Sequence, residues 1–230
     1  MSNEIQKNSF AEQATNLLRR IEYRRADTAD ELDKIIRLRY KAYLKEGAIS
    51  ASPSERLEDA FDSLANAHNF GVYIDGRLAS ALRLHIISRR QPYSPAMESF
   101  SDALQPLLDN NKVIIDPNRF VADYDIARHH PELPYLTLRL ANVAARYFGG
   151  NYVTMTVRSE HQAFYRRGFF AKVVCPPRQY PLLSKPISLL LVDYDNDRER
   201  IETRHPYWIA SAQECEALLG PGPTYMAKAS

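Results

Sequence analysis

Cysteine, glycine and any excess of one charge are scarce in this chain. Cys175 and Cys215 are the two cysteines among 230 residues, too few for a disulfide framework or a zinc site, and no metal is expected. Lys and Arg number 30 against 28 Asp and Glu, and a net charge of +2 with both signs interspersed gives no basic stripe for nucleic acid. A pI near 8.5 still allows a local basic patch facing an acidic partner. No apolar run approaches the ~20 residues of a membrane span, and mean hydropathy is −0.42. That leaves at most a peripheral membrane contact. The opening MSNEIQKNSF is polar and lacks the apolar core of a secretion signal. These absences lead to the expectation of a soluble, cytoplasmic protein in a reducing setting. Glycine stands at 8 against 14 prolines, which limits the kind of phosphate loop the chain can build.

What is present suits a folded domain. A hydrophobic fraction of 45% is enough to bury a core. Asn8 to Arg20 predicts an amphipathic helix and Ile21 to Arg24 a short strand. Thr28-Ala29-Asp30-Glu31 has the form of a capping box, opening a helix that runs to Glu46 and stops at Gly47. Leu57, Phe61 and Leu64 predict a second short helix. A β-hairpin follows, Val72 to Ile74 and Arg77 to Ile87, around an Asp75-Gly76 turn. Lys112 to Asp125 reads as a strand, Pro134 to Phe148 as a helix, and Asn151 to Arg158 as a strand. Ser159-Glu160-His161-Gln162 reads as another capping box, for a helix ending at Gly168. Phe169 to Cys175 and Ile187 to Tyr194 read as the last strands. Residues 1–20 form an N-terminal arm or helix, 21–195 the domain, and 196–230 a charged, aperiodic C-terminal arm with one short helix near Ala212 to Leu218. This order predicts an α/β (α+β) layer on one mixed sheet and no repeated βαβ unit. No glycine-rich dinucleotide fingerprint follows any strand.

Several polar residues sit where apolar ones are expected. Arg39 lies on the Leu32, Ile35, Tyr43 stripe of the Thr28-capped helix, so its guanidinium either snorkels to a structural carboxylate or meets an anion. Asp59 and Asp62, three apart, share one helix face, either solvated or held together by a cation. On the hairpin's second strand Arg83 and His85 alternate with Leu82, Leu84 and Ile86, and a solvent-facing side accounts for them. Asp116-Pro117-Asn118-Arg119 interrupts the apolar runs Val113 to Ile115 and Phe120 to Ala122. A proline there predicts a bulge or an edge, and bulges re-aim side chains beside active sites. Phe164-Tyr165-Arg166-Arg167-Gly168-Phe169 is an aromatic pair on a short helix, with a Tyr165 phenol able to reach a neighbouring cleft.

Together these pieces resemble the GNAT-like acyl-CoA N-acyltransferase fold, whose FYxxxGF signature is similar to the run at Phe164 to Phe169. The resemblance implies a central mixed sheet with a bulged central strand and helices on both faces. Acetyl-CoA users of this fold hold the pyrophosphate in a glycine-rich loop at a helix N-terminus. Here Val121 to Arg128 carries no glycine and two acids, so acetyl-CoA dependence is not expected. The same residues resemble the acyl-homoserine-lactone (autoinducer) synthases and the related N-acyl amino acid synthases of the N-acyltyrosine synthase type. The helix motif is similar at Arg39 to Tyr43, the acidic motif at Asp59 to Asp62, the strand arginine at Arg83, a phenylalanine at Phe100, and the Glu-x-Ser-Arg-Phe motif, altered, at Asp116 to Phe120. A tryptophan usual in the lactone branch is missing after the first motif, and the single Trp208 lies in the tail, which favours the amino acid branch.

The resemblance implies an N-acyltransferase that moves a long-chain acyl group from an acyl carrier protein thioester to the amine of an amino acid acceptor. The donor is an acyl-phosphopantetheine, on a carrier protein in preference to acyl-CoA, and no bound cofactor is expected. The implied catalytic residues are Asp116 as base, Tyr165 as acid and Arg119. The implied substrate-binding residues are Arg39, Tyr43, Asp59, Asp62, Arg83, Phe100 and Phe120. Arg39, Arg83 and Arg119 either take the acceptor carboxylate or brace the bulged strand against Asp59, Asp62 and Asp116. Two alternatives stand beside this reading, an acyl-homoserine-lactone synthase using S-adenosylmethionine and a non-catalytic acyl-binding module on the same fold.

Overall fold

The computed structural model describes residues 9–179, 185–221 and 227–228. Its elements are α1 (Phe10–Leu18), β1 (Ile21–Arg25), α2 (Ala29–Lys45), β2 (Ala67–Ile74), β3 (Arg77–Ile87), α3 (Pro95–Asp109), β4 (Ile114–Ala122), α4 (Tyr124–Ala127), α5 (Leu133–Phe148), β5 (Tyr152–Val157), α6 (Gln162–Phe169), β6 (Lys172–Arg178), β7 (Ile187–Asp193), α7 (Tyr194–Arg204), α8 (Ala212–Leu219) and β8 (Ala227–Lys228). The strands form one sheet in the order β6-β7-β5-β4-β3-β2-β1-β8. Every pairing is antiparallel except the central one between β4 and β5.

Local chemistry explains most of the elements. Thr28 and Glu31 cap α2 reciprocally, satisfying two of the amides that a helix start leaves free. Asp75 and Gly76, at φ 48° and 78°, make the tight turn whose twist matches a hairpin. Gly149, left-handed at φ 65°, ends α5. One face of the sheet carries α5, with Leu82, Leu84 and Ile115 packed beneath it. The other carries α2 over Ala81 and Val121 and α3 over Ile87, Ile114 and Leu189.

Three local expectations are corrected. Leu57, Phe61 and Leu64 do not share a helix, because only a 3-10 turn forms, at Ala60–Ser63. Ser159 makes no capping bond to α6, and that helix runs one residue past Gly168, to Phe169, and is capped by Phe170, left-handed at φ 59°. Helix α3 has no counterpart in the sequence reading, and it contains Pro95 and Pro106 although proline disfavours a helix interior. Pro95 instead occupies the first turn, where no N–H is needed, and Phe100 takes a non-helical φ of −135° that kinks the helix ahead of Pro106.

Residues 197–221 pack closely on the sheet layer. Arg139 of α5 is fully buried and grips this segment with every nitrogen of its fork: Nη1 and Nη2 bond Glu214 at 2.6 and 2.8 Å, Nε bonds the Tyr207 carbonyl at 2.8 Å, and Nη2 also bonds the Ile209 carbonyl at 2.9 Å. Trp208 stacks on Phe169, with centroids 4.7 Å apart, and donates Nε1–H to the Tyr135 carbonyl at 3.0 Å. The segment's absence of periodicity reflects anchoring through one ion pair and a few aromatics instead of a continuous apolar stripe. Breaking a buried pair from one side strands the other charge. Glu214→Ala is therefore expected to destabilise the fold by about 3–5 kcal/mol, read as a shift of the urea midpoint.

Candidate active site

The site grows out of one irregularity in β4. Before it, Val113 accepts from the Asn151 and Tyr152 amides, so the peptide groups of odd-numbered residues face β5. That pairing ends at Ile115 opposite Val153. Pro117 shares that orientation and sits past the last partner, so its missing N–H deprives no ladder bond. Between Asn118 and Val121 the strand gains one residue relative to β3, where Arg83 pairs with Asn118 and Ala81 with Val121. Arg119 absorbs the extra residue in a left-handed conformation, φ 52°. The bulge expected from Pro117 is present, centred two residues later.

One added residue reverses both alternations along a strand. Asp116 and Asn118 face the α2 side before the bulge, and Val121 faces it afterwards. Past the bulge the Asp123 N–H bonds the Ala79 carbonyl of β3 at 2.8 Å, so the Ala122 N–H points the opposite way, to the space β5 has vacated. A cavity of about 940 Å³ opens there. Phe120, Val121 and Ala122 form one wall, Met155, Thr156 and Val157 the facing wall, with Tyr43 of α2 and Tyr165 of α6 closing its sides.

On the α2 face three guanidiniums converge on two carboxylates. Arg39, fully buried, bonds Asp62 at 2.6 Å and the Asn69 side-chain oxygen at 2.6 Å. Arg83, also fully buried, bonds Asp59 at 2.6 and 3.2 Å, meets Asp62 at 2.8 Å, and reaches Asn118 through Nε at 2.6 Å. Arg119 bonds Asp59 at 2.5 and 3.1 Å, with its guanidinium 5.6 Å from the Tyr43 ring centre. The two acids are oriented by the 3-10 turn itself. Asp59 accepts from the Phe61 amide at 3.0 Å, and Asp62 accepts from the Asp59 amide at 3.0 Å. Burial pushes the Asp59 carboxyl up, but hydrogen bonds and charge from Arg83 and Arg119 outweigh it and hold the group well below the usual carboxylate range. Asp62 is lowered in the same way, against burial, chiefly by Arg39 and Arg83.

Beside this cluster runs a second hydrogen-bonded chain. Asn118 donates to His85 Nδ1 at 3.0 Å and to the Asp116 carbonyl at 2.8 Å. His85 therefore carries its proton on Nε2 and donates to the Phe61 carbonyl at 3.1 Å. Burial lowers its pKa to about 4 against the pull of Asp116, so the ring is neutral at pH 7. Asp116 accepts from Thr154 Oγ1 at 2.5 Å, from Asn118 at 3.3 Å and from the Ala96 amide at 3.4 Å.

The expected site residues thus divide. Arg83, Arg119, Phe120, Tyr43 and Tyr165 reach the cavity. Arg39, Asp59 and Asp62 do not line it and brace the bulge from behind. Asp116 is fully buried and does not line the cavity. It also pairs with no arginine, unlike Asp59 and Asp62. Phe100 is packed in the α3 core, off the cavity, under Arg178. Arg83 and His85, read as a solvent-facing side, are fully buried because the 3-10 turn and α2 cover them. Sequence reading missed Asn69 and Asn118 as network members. Asn69 stands directly opposite Arg83 across β2 and β3, so the strand register was the signal that identified it.

Comparison with known proteins follows this geometry. The family model of the N-acyl amino acid synthase FeeM matches residues 34–193. Among solved structures, FeeM from uncultured soil microbes is similar over 80% of this chain and 97% of its own, at 14% identity and a TM-score of 0.67. The CoA-dependent acyl-homoserine lactone synthase BjaI is similar over 78% and 82%, at 17% identity and a TM-score of 0.54. An acyl-CoA N-acyltransferase from Pseudomonas aeruginosa is similar over 74% and 97%, at 20% identity and a TM-score of 0.50. At these identities the structural likeness bears on the fold. A search of curated proteins finds no match.

Asp59 neutralises two buried arginines, so Asp59→Ala is expected to destabilise the protein by about 3–5 kcal/mol in urea melts. The sign of its pH dependence follows from the lowered pKa. The folded protein binds fewer protons than the unfolded chain, so this stabilisation is full above the ordinary carboxylate pKa of about 4 and is lost as pH falls below it. Melts of Asp59→Asn are expected to show a shallower loss of stability than wild type below about pH 4.

Proposed function

The chain belongs to the N-acyl amino acid synthase FeeM family, and on that premise we propose how its cavity joins an acyl thioester to an amino acid. It is an N-acyltransferase: the acceptor amine attacks the thioester carbonyl, a C–N bond forms, the C–S bond breaks, and the thiol leaves with a proton while the amine gives one up. The observation that carries the proposal is the cavity entering the sheet between bulged β4 and departing β5, with a buried phenol on its wall.

The Ala122 N–H is our oxyanion donor, since it faces the gap and lies on the cavity wall. One well-aimed backbone donor of this kind is worth about 3–4 kcal/mol of transition-state stabilisation. Tyr165 is our general acid. It is buried, and burial pushes its phenol up to about 12, so it keeps its proton at neutral pH and has it to give to the leaving thiolate. Arg119 is our receptor for the acceptor's carboxylate. Three guanidiniums touch only two carboxylates in its cluster, and Arg119 is the member on the cavity side whose Nη1 makes no bond to those acids. Asp116 acts as a positioning residue in this reading, fixing Asn118 and through it the start of the bulge. The amine's proton leaves through the open cavity mouth to solvent.

We assign a long-chain acyl-phosphopantetheine on an acyl carrier protein as the donor. The amides that would cradle a CoA pyrophosphate are already used, because Asp123 accepts from the Asp125 and Ile126 N–H groups, both at 3.1 Å. A nucleotide there would also meet the Asp123 and Asp125 carboxylates lining the cavity. No helix among the described residues is long and apolar enough to cross a membrane.

Lipid mass spectrometry of bacteria overexpressing the protein tests the reaction. New N-acyl amino acids, absent with Arg119→Ala, are the expected result, and acyl-homoserine lactones in their place would overturn the assignment. With purified protein, acyl carrier protein thioester is expected to outperform the matching acyl-CoA. Tyr165→Phe should lower kcat by about 10²–10⁴-fold. Because the Tyr165 pKa is raised, its acid form persists through the alkaline range. The rate should rise with pH as the amine deprotonates, and a falling limb between roughly pH 8 and 10 would exclude Tyr165 as the proton donor.

A further inference from the structure

Two fully buried hydroxyls have no place in the chemistry above, Ser80 on β3 and Thr137 on α5. Ser80 Oγ donates to the Val121 carbonyl at 2.6 Å. A hydroxyl has one proton, and that bond commits it, so Ser80 is the acceptor in its 2.9 Å contact with Thr137 Oγ1. Thr137 Oγ1 also lies 2.9 Å from the Leu133 carbonyl one turn earlier, so its single proton is shared between Ser80 and that carbonyl. Both side chains lie on the α5 face, opposite the arginine cluster.

The atom Ser80 holds matters because of what lies next to it. In a trans peptide the carbonyl and the following N–H point in opposite directions. Drawing the Val121 carbonyl towards β3 therefore turns the Ala122 N–H to the gap beside β5, where the cavity lies. Elsewhere in a sheet the ladder alone fixes a peptide's orientation. Here the peptide follows directly after a bulge, where pairing is disrupted, and the strand on its other side has already departed. The Val121–Ala122 peptide thus has a ladder partner on one side only, and Ser80 adds a short, dry hydrogen bond on that side.

We propose that Ser80, backed by Thr137, is the positioning residue that aims the Ala122 N–H at the thioester oxygen. This rests on the reading of Ala122 as the oxyanion donor. Neither hydroxyl lines the cavity, so their effect passes through the peptide alone. Misplacing a reacting group by about 1 Å costs on the order of 10²-fold in rate, which is the scale expected when the peptide is released.

The test uses the full chain with Ser80→Ala, Thr137→Val and Thr137→Ser, assayed with a saturating acyl thioester and a varied amino acid. Ser80→Ala is expected to lower kcat by about 10- to 100-fold while the acceptor KM stays within about threefold. Thr137→Val should fall in the same direction by less, and Thr137→Ser, which keeps the hydroxyl, should return kcat to the wild-type value. In ¹⁵N-labelled protein the Ala122 amide resonance should move in Ser80→Ala. An unchanged kcat in folded Ser80→Ala, or a raised KM with kcat intact, overturns the inference, as does Thr137→Ser behaving like Thr137→Val. If Ser80→Ala does not fold, the Thr137 pair decides alone. The underlying reading is tested apart, by titrating wild type with an acyl-phosphopantetheine analogue whose sulfur is replaced by methylene. An Ala122 amide that moves on binding supports the oxyanion assignment, and one that stays fixed overturns it whatever the Ser80 variants do.

Discussion

Arg119 holds a left-handed backbone with a β-carbon attached, a conformation that costs an L-residue roughly 1–3 kcal/mol unless its surroundings over-determine it. Here they do. Asp59 grips the Arg119 side chain from a turn that Asp59 and Asp62 themselves close, and Arg83 and Arg39 lock those acids to β3 and α2. The ion cluster and the strained residue are one device. The strain puts an extra residue into β4, the cluster keeps it there, and the extra residue decides which peptide group faces the cavity.

That device explains why so much charge is buried so close to an apolar cavity. A buried ion pair contributes little net stability against a hydrophobic replacement of the same shape, so stability alone is a poor reason for three arginines at this depth. Specifying one backbone register is a better one. A bulge slipped by a residue would turn Asn118 and Val121 to the wrong faces, and the guanidinium geometry penalises that slip through several directed bonds at once. The second buried arginine site, Arg139 with Glu214, acts on the opposite face. It ties the C-terminal segment to α5, two residues from Thr137 and above the strand that the bulge distorts.

Much of this was legible in the sequence. Capping chemistry marked α2, the Asp-Gly turn marked the hairpin, and a proline amid apolar residues marked the bulged strand. Arg39 and Arg119 stood out as too polar for their positions, Asp59 and Asp62 as like charges three apart, and Arg83 through similarity to the family's strand arginine, and the structure joins all five. Their pairing had to wait, since it depends on register across three strands and on a turn too short to show periodicity. Asp116 and Phe100 lie off the cavity wall for reasons a motif does not show: similarity gives residue order, whereas the face Asp116 takes depends on its place before the bulge, and Phe100 packs into the core beneath α3. Helix α3 went unassigned because it carries prolines in its first turn and its interior and bends at Phe100, which breaks an even helical pattern. The C-terminal segment concealed its packing because a few anchors do the work that an apolar stripe does elsewhere.

Asp123 has a consequence of its own. Its carboxylate occupies the amides at the start of α4, so the chain carries a tethered competitor for whatever free anion would bind there. A tethered group acts at a high effective concentration, on the order of millimolar or above for short flexible links, and it never dissociates into bulk. A cellular nucleotide pool would have to outbid an occupant that is always present. On the proposed reading, an internal ligand more than the shape of the opening would sort thioester donors, and the single side chain of Asp123 is where that sorting would be open to evolutionary change.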